Sequence, residues 1–251
     1  QPVSDVALVV TADRLIGDFR DDLFHTDFKT GPPLGRRPVA IAPFSLEQHV
    51  DHRPRLFQHA GKPLSAAFAN QIVRVDADEV ALRTEEGLTA FDTSLAAMAP
   101  NAIQSLRRWS DQPFTTLVYT HGHIDHVGGA PAFLADAADR GDARPRIVAH
   151  ENAPDRFARY RDTQGYNQVI NERQFGAGGM LQFPGTFAAP DDTFRDELTW
   201  TSGDTAIHLR HDRGETDDHA WAWVPEHRAV LCGDLFIWVF PNAGNPQKVQ
   251  R

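Results

Sequence analysis

The sequence predicts an α/β fold, and three observations predict it. Short β-rich apolar runs alternate with stretches of helical spacing from about Asn70 onward. One of those runs ends directly on a histidine-rich hexad, as a strand does when it delivers a loop to a sheet edge. A Gly-Gly pair follows the hexad after one residue and opens the next helical stretch.

Residues 1–66 read as an N-terminal extension, a wrapping arm whose polar turns and prolines (Pro32, Pro33, Pro38, Pro43, Pro54 and Pro63) break any long periodicity. Its clearest strand candidate is the apolar run 6–10. Residues 67–251 read as the main domain. Strands are expected over 71–75, 79–83 and 88–91, separated by Asp and Glu-Glu-Gly turns, and a helix over 95–109. The run 115–119 is the strand that ends at the hexad. A helix over 128–139, a strand over 146–149 and helix around 155–161 follow. The stretch 165–190 carries Gly176, Gly178 and Gly179 among polar residues and reads as a long loop over the site. Strands are then expected over 205–210, 220–224 and 229–232, the last two joined by the turn Pro225-Glu226-His227-Arg228.

A chain of 251 residues can bury one sizeable core, so one main domain with an extension is expected. A formal net charge of -9 argues against a nucleic-acid partner, because neutralising phosphates usually requires a basic patch. No apolar run approaches the roughly 18 residues of a transmembrane helix. Cys232 stands alone, so no intrachain disulfide is possible and the redox compartment is left open. The first residue is Gln1 rather than Met, which suggests that an upstream segment was removed and leaves localisation open.

The hexad is His121-Gly122-His123-Ile124-Asp125-His126, and four of its six residues are good ligands for a borderline metal such as zinc. In an extended segment His121 and His123 project to the same side and can grip one ion together. Asp125 and His126 come after a change of chain direction and can reach a second. His150 ends a strand, and His25, His49, His52, His59, His208, His211 and His227 lack a ligating spacing. Trp221 and Trp223 share one strand face and read as sheet packing.

The HxHxDH pattern at a strand end, with Gly128-Gly129 after Val127, resembles the metallo-β-lactamase superfamily, and the resemblance runs from about Asn70 to the C-terminus. It implies an αββα four-layer sandwich and a small-molecule substrate. Phe91-Asp92-Thr93-Ser94 is similar to the superfamily's Asp-Thr-Gly, which nominates Asp92 as the carboxylate that orients ligands, with Ser94 in place of glycine. Gly214-Glu215-Thr216-Asp217-Asp218-His219 is similar to Gly-His-Thr-Pro-Gly-His and nominates His219. Cys232-Gly233-Asp234 matches the strand end that supplies a bridging aspartate. The implied site holds two Zn2+: His121, His123 and His219 on the first, Asp125, His126 and Asp234 on the second, with Asp125 and Asp234 also as catalytic residues. One further histidine expected for the second ion has no counterpart before Arg251, so the C-terminal part of the sandwich is expected to be missing from this sequence.

Three segments look like the alkyl-sulfatase branch: Val148-Ala149-His150-Glu151, residues 171–176 and Val224-Pro225-Glu226. That branch adds a dimerising helical domain, which implies a homodimer through the missing C-terminal region. It carries glutamates where this chain has His219 and Asp234, a departure that brings the ligand set nearer to ordinary members. The implied reaction is attack by a metal-bridging hydroxide on an ester, with Arg173 or Arg251 as partners for a sulfate head. The alternatives are another hydrolase of the superfamily, acting on a lactone, thioester or β-lactam, or a non-catalytic metal-binding subunit.

Overall fold

The computed structural model describes residues 7–9, 58–59, 62–63, 71–74, 79–175 and 182–235. All of these lie in one unit, and residues 14–53 lie outside the described residues. Most of the 1–66 arm therefore lies outside them too. Its described pieces are the strands β1 (Ala7–Val9), β2 (Gln58–His59) and β3 (Lys62–Pro63), of which the last two pair with each other.

A first sheet takes β4 (Ile72–Arg74), β5 (Val80–Arg83), β6 (Leu88–Phe91), β7 (Phe114–Val118), β8 (Arg146–His150) and β9 (Asp192–Phe194) in that spatial order. The pairs from β4 to β6 are antiparallel and those from β6 to β9 parallel. The parallel crossovers carry helices. Helix α1 (Ala99–Trp109) buries Ala99, Ala102, Ile103 and Leu106, one stripe at helical spacing. It starts four residues later than the spacing suggests, because Pro100 lacks the amide an interior turn needs and is suited only to the first turn. The single turn α2 (Ile124–Val127) follows β7, and then α3 (Ala130–Arg140) buries Ala130, Phe133 and Ala137 and stops at Gly141 with φ 73°. Helix α4 (Ala153–Asp162) follows β8.

The expected loop over 165–190 is corrected in its first part, because Gln164–Phe175 is a helix, α5. Polar side chains bond along it: Gln168 Nε2 donates to Glu172 Oε1 at 2.7 Å, and Asn171 Nδ2 to the carbonyl of Asn167 at 2.8 Å. Its glycine sits at the N-terminal end, where it interrupts nothing. Of the three later glycines in that reading, all lie outside the described residues.

The second sheet is β1–β13–β12–β11–β10, built from β10 (Glu197–Ser202), β11 (Thr205–His211), β12 (Ala220–Val224) and β13 (Ala229–Leu231), with β1 parallel to β13 and the rest antiparallel. Strands β9 and β10 were not expected from the sequence, although β10 alternates in the order Leu198, Trp200, Ser202 against Glu197, Thr199, Thr201. Two cores result from period-2 alternation. Ala81, Ala90, Leu117, Ile147 and Ala149 face α1, α3 and α4, whereas Val80, Leu82, Phe91, Val118 and Val148 face Ile207, Leu209, Ala222 and Leu231 of the second sheet. Three layers of an αββα sandwich are thus present among the described residues.

The strand ends converge where β6 and β7 finish. The Gly-Gly pair allows this: a Cβ on Gly129 would stand 1.9 Å from the carbonyl oxygen of Thr93, and one on Gly128 2.4 Å from that of Ile124. Backbone bonds from Gly129 N to Ser94 O (2.8 Å) and from Thr93 N to His126 O (2.7 Å) clamp the two loops. Gly129→Ala is therefore expected to cost about 3 kcal/mol, near the upper end for overpacking, as a shift in the urea midpoint at unchanged slope.

Candidate metal centre

Every group of interest sits at the C-terminal end of a strand of the first sheet or on a turn of the second that meets it. Asp92 ends β6 with φ 64°, a left-handed conformation that aspartate tolerates better than most residues, and its side chain is fully buried. Its Oδ1 accepts the Thr120 amide at 2.7 Å, and its Oδ2 accepts the Thr120 hydroxyl at 2.7 Å and Nδ1–H of His126 at 2.9 Å. Ser94 also has positive φ, 63°, which explains why glycine suits this position in the pattern it resembles.

These bonds fix tautomers. The Thr120 hydroxyl is spent on Asp92, so His121 Nδ1–H donates to Thr120 Oγ1 at 3.2 Å and its Nε2 lone pair points elsewhere. His126 likewise donates through Nδ1 and turns Nε2 inward. Thr120, which was not nominated from the sequence, also ties β7 to β12 through its carbonyl, which accepts the Ala220 amide at 2.6 Å. Gly233, at φ 50°, backs onto it so closely that a Cβ would lie 2.4 Å from Thr120 Oγ1.

Two groups of three candidate ligands form, each with its donor atoms all within 4.8 Å of one another: His121, His123 and Glu215, and His121, His126 and Asp234. In the first, Glu215 Oε2 lies 3.4 Å from His121 Nε2 and 3.1 Å from His123 Nδ1, which are 3.0 Å apart. In the second, Asp234 Oδ2 lies 3.5 Å from His126 Nε2. The His121 and His126 rings are 4.0 Å apart, so the groups adjoin. Asp125 borders the second group, 3.8 Å from His126 Nε2 and with a side chain about one third exposed.

His219 lies in neither group. It stacks behind His121 at 5.0 Å between ring centroids, and its Nε2 donates to the carbonyl of Cys232 at 2.9 Å. Glu215 stands in the place the sequence reading gave to His219. The signal was available, since Glu215 occupies the second position of Gly-Glu-Thr where the similar pattern has Gly-His-Thr. His150 stacks on His211 at 3.9 Å and belongs to neither group. Arg173 is exposed near the end of α5, and Arg251 lies outside the described residues.

Electrostatics separate the imidazoles. Burial, followed by the neighbouring His126 and His123, holds His121 well below the usual histidine range. Burial also opposes the charge on His126, but Asp92, Asp234 and Asp125 outweigh it and hold His126 well above that range. Burial works against an ionised Glu215 too, yet the adjoining His121 and His123 imidazoles hold it below the usual carboxylate range. Burial pushes Asp92 up, against His126 and Thr120. Three donors converge on its two oxygens, an arrangement that suits the ionised form, so the Asp92–His126 pair is a carboxylate with an imidazolium.

This donor set fits divalent cations. Imidazole nitrogens and carboxylate oxygens converge in a buried space, and Asp234 Oδ1 is buried there with no hydrogen-bond partner. A groove of about 660 Å3, lined by Arg83, Glu85, Trp109, Asp111 and His227 among others, lies at the other end of β7 and shares no residue with either group.

Residues 80–238 match the family model described as the metallo-beta-lactamase superfamily. The chain belongs to that superfamily. Its members are mostly hydrolases, and its fold usually binds divalent metal ions. Among known proteins, the chain is 28% identical over 171 residues to the linear primary-alkylsulfatase of Pseudomonas sp. (strain ATCC 19151), covering 61% of this chain and 32% of the relative. It is 26% identical over 188 residues to the 2,4-dinitroanisole O-demethylase subunit alpha of Nocardioides sp. (strain JS1661), covering 64% of this chain and 50% of that one. The chain thus spans a third to a half of the length of these relatives. Among solved structures, a double mutant of the sec-alkyl sulfatase PisA1 matches with a TM-score of 0.49 and 18% identity over 62% of this chain and 28% of that one. No helix among the described residues is long and apolar enough to cross a membrane.

Proposed function

We propose that this superfamily member is a two-zinc hydrolase whose substrates are alkyl sulfate esters. The observation that carries the reading is the pair of adjoining ligand groups, His121–His123–Glu215 and His121–His126–Asp234. One Nε2 lone pair serves one ion, so His121 completes the first group, and His126, Asp234 and Asp125 are left for the second. An imidazole and carboxylate set of this kind suits zinc. Glu215 favours the sulfatase branch, because the resemblance gives that branch a glutamate at the third ligand position of the first ion. The identity to a primary alkylsulfatase supports the same reading.

Two divalent cations held here would bring the pKa of a shared water toward neutrality and offset the charge of a sulfate head. The residues of the chain do the rest. Asp92 fixes the His126 ring through Nδ1, and Thr120 does the same for His121. Asp234 Oδ1, buried and unpaired, is placed to accept a hydrogen bond from the attacking water. Asp125, about one third exposed, borders the second group. Arg156 is spent on Asp217 and Asp218, so it does not serve as a free cation for the substrate.

The protonation states make a prediction. His121 is already neutral and Glu215 already ionised, whereas His126 must lose its Nε2 proton before it can ligate. Zinc loading is expected to release about one proton through His126, and affinity for the second equivalent to rise about tenfold per pH unit below the folded-state pKa of His126, then level off. Calorimetry in buffers of differing ionisation heat reads the proton, and a pH-independent affinity across the neutral range would contradict the assignment.

The function is tested by incubating the zinc-loaded chain with decyl sulfate, a lactone, a thioester, a β-lactam and 2,4-dinitroanisole. Chelator-sensitive release of inorganic sulfate is expected. Turnover of another substrate without sulfate release would remove the sulfatase reading and leave the hydrolase; no metal uptake and no turnover would remove both.

A further inference from the structure

Arg156, on α4, is 5% exposed, an unusual state for an arginine, and it sits beneath the first ligand group. Its Nε donates to Asp218 Oδ1 at 2.9 Å, and its Nη2 donates to Asp217 Oδ1. Asp218 Oδ1 also accepts the Thr216 hydroxyl at 2.5 Å, and the Asn152 side-chain amide donates to the carbonyl of Asp217 at 3.0 Å. Asn152, just before α4, and Arg156, in its first turn, thus grip Asp217 and Asp218, and Asp218 holds Thr216, the residue immediately after Glu215.

The same pair touches the other half of the group. A Cβ on Gly122, between His121 and His123, would meet Arg156 Cδ at 2.6 Å and Asp218 Oδ2 at 2.7 Å. The arginine–aspartate pair therefore fills the space against the His-Gly-His backbone while it anchors the turn that carries Glu215. Burying an ion pair brings little net stability relative to apolar packing, so its presence here calls for a reason other than stability.

We propose that Arg156 and Asp218 are positioning residues that set Glu215 against His121 and His123, acting through the 215–218 turn and touching neither metal nor substrate. This rests on the reading that Glu215 is a ligand of the first ion. A fixed turn spares Glu215 the cost of ordering a flexible loop when it binds, and outer partners of this sort typically change metal affinity by about 10–100-fold.

The test is titration of the full chain with Co2+, following the ligand-field spectrum and both binding equivalents, for the wild type, Arg156→Met, Arg156→Lys, Asp218→Asn and Glu215→Gln. Arg156→Met is expected to weaken one equivalent about tenfold and shift its spectrum, leave the other equivalent within twofold, and be partly rescued by Arg156→Lys. Asp218→Asn, close to isosteric, covers the case in which Arg156→Met fails to fold, and is expected to weaken the same equivalent. Either substitution should lose its effect in a Glu215→Gln background, because both act through that carboxylate. If Glu215→Gln removes one equivalent while Arg156→Met and Asp218→Asn bind it as the wild type does, the positioning role is wrong and the ligand reading stands. Equal weakening of both equivalents, unaltered by Glu215→Gln, would mean a general structural role and overturn the proposal. If Glu215→Gln leaves both equivalents intact, the ligand reading falls and the proposal with it.

Discussion

His121→Ala is expected to remove one metal equivalent outright, weaken the other, and reduce hydrolysis by about 10³-fold or more. The size follows from position. His121 is the only residue common to both ligand groups, with its ring 4.0 Å from His126 and its Nε2 3.0 Å from His123 Nδ1. Metal activation of water and of the ester supplies several kcal/mol of transition-state stabilisation, and about 4 kcal/mol corresponds to three decades in rate. Truncation also leaves a void beside His219, whose ring stacks on His121 from behind. Metal content by mass spectrometry and initial rates over a range of zinc concentrations check the expectation together. Recovery of the wild-type rate at high zinc would show that His121 affects only affinity, and unchanged rate at stoichiometric zinc would reject the ligand assignment.

The hexad was legible because its chemistry is local. The short loop after β7 brings His121 and His123 into one group, and a helical turn starting at Ile124 redirects His126, so most of the geometry lies within six consecutive residues. Asp92 was legible through its neighbours in sequence, but its reason was not: the left-handed backbone and the three bonds it accepts depend on Thr120 and His126, 28 and 34 residues away.

Between Glu215 and His219 the decision lies in tertiary structure. The turn puts Glu215 beside the hexad and delivers His219 to the start of β12, where the carbonyl of Cys232 takes its Nε2. A preference for imidazole over carboxylate as a ligand type cannot anticipate which of two side chains a turn will aim. The helix α5 was hidden for a different reason. The glycines at 176, 178 and 179 made the whole stretch look irregular, while the helix-stabilising bonds, such as Gln168 to Glu172, involve polar residues that give no amphipathic stripe. Strand β10 was masked by the acidic residues that precede it, Asp191, Asp192 and Asp196, a residue type depleted in strands.

Asp92→Asn is expected to weaken the second metal equivalent about 10–100-fold and to destabilise the metal-free protein by about 2 kcal/mol. Three donors meet the carboxylate: the Thr120 amide, the Thr120 hydroxyl and His126 Nδ1–H. An amide offers one oxygen in place of two, so one of its faces presents N–H to a donor, and a buried unsatisfied group costs about 1–3 kcal/mol. Without the carboxylate the His126 ring loses the partner that fixes its Nε2 toward Asp234, and it becomes a weaker base and a less well-aimed ligand. Asparagine tolerates the φ of 64° about as well as aspartate does, so this variant removes the charge and keeps the backbone. Asp92→Ala gives up both, and is expected to lose about 1 kcal/mol more for the left-handed conformation. Urea denaturation with chelator present separates stability from metal linkage, and calorimetric titration of each folded variant reads the affinity. Wild-type affinity in Asp92→Asn would mean that the His126 ring is held by packing alone, and the difference between the two variants would then measure only the strain of the turn.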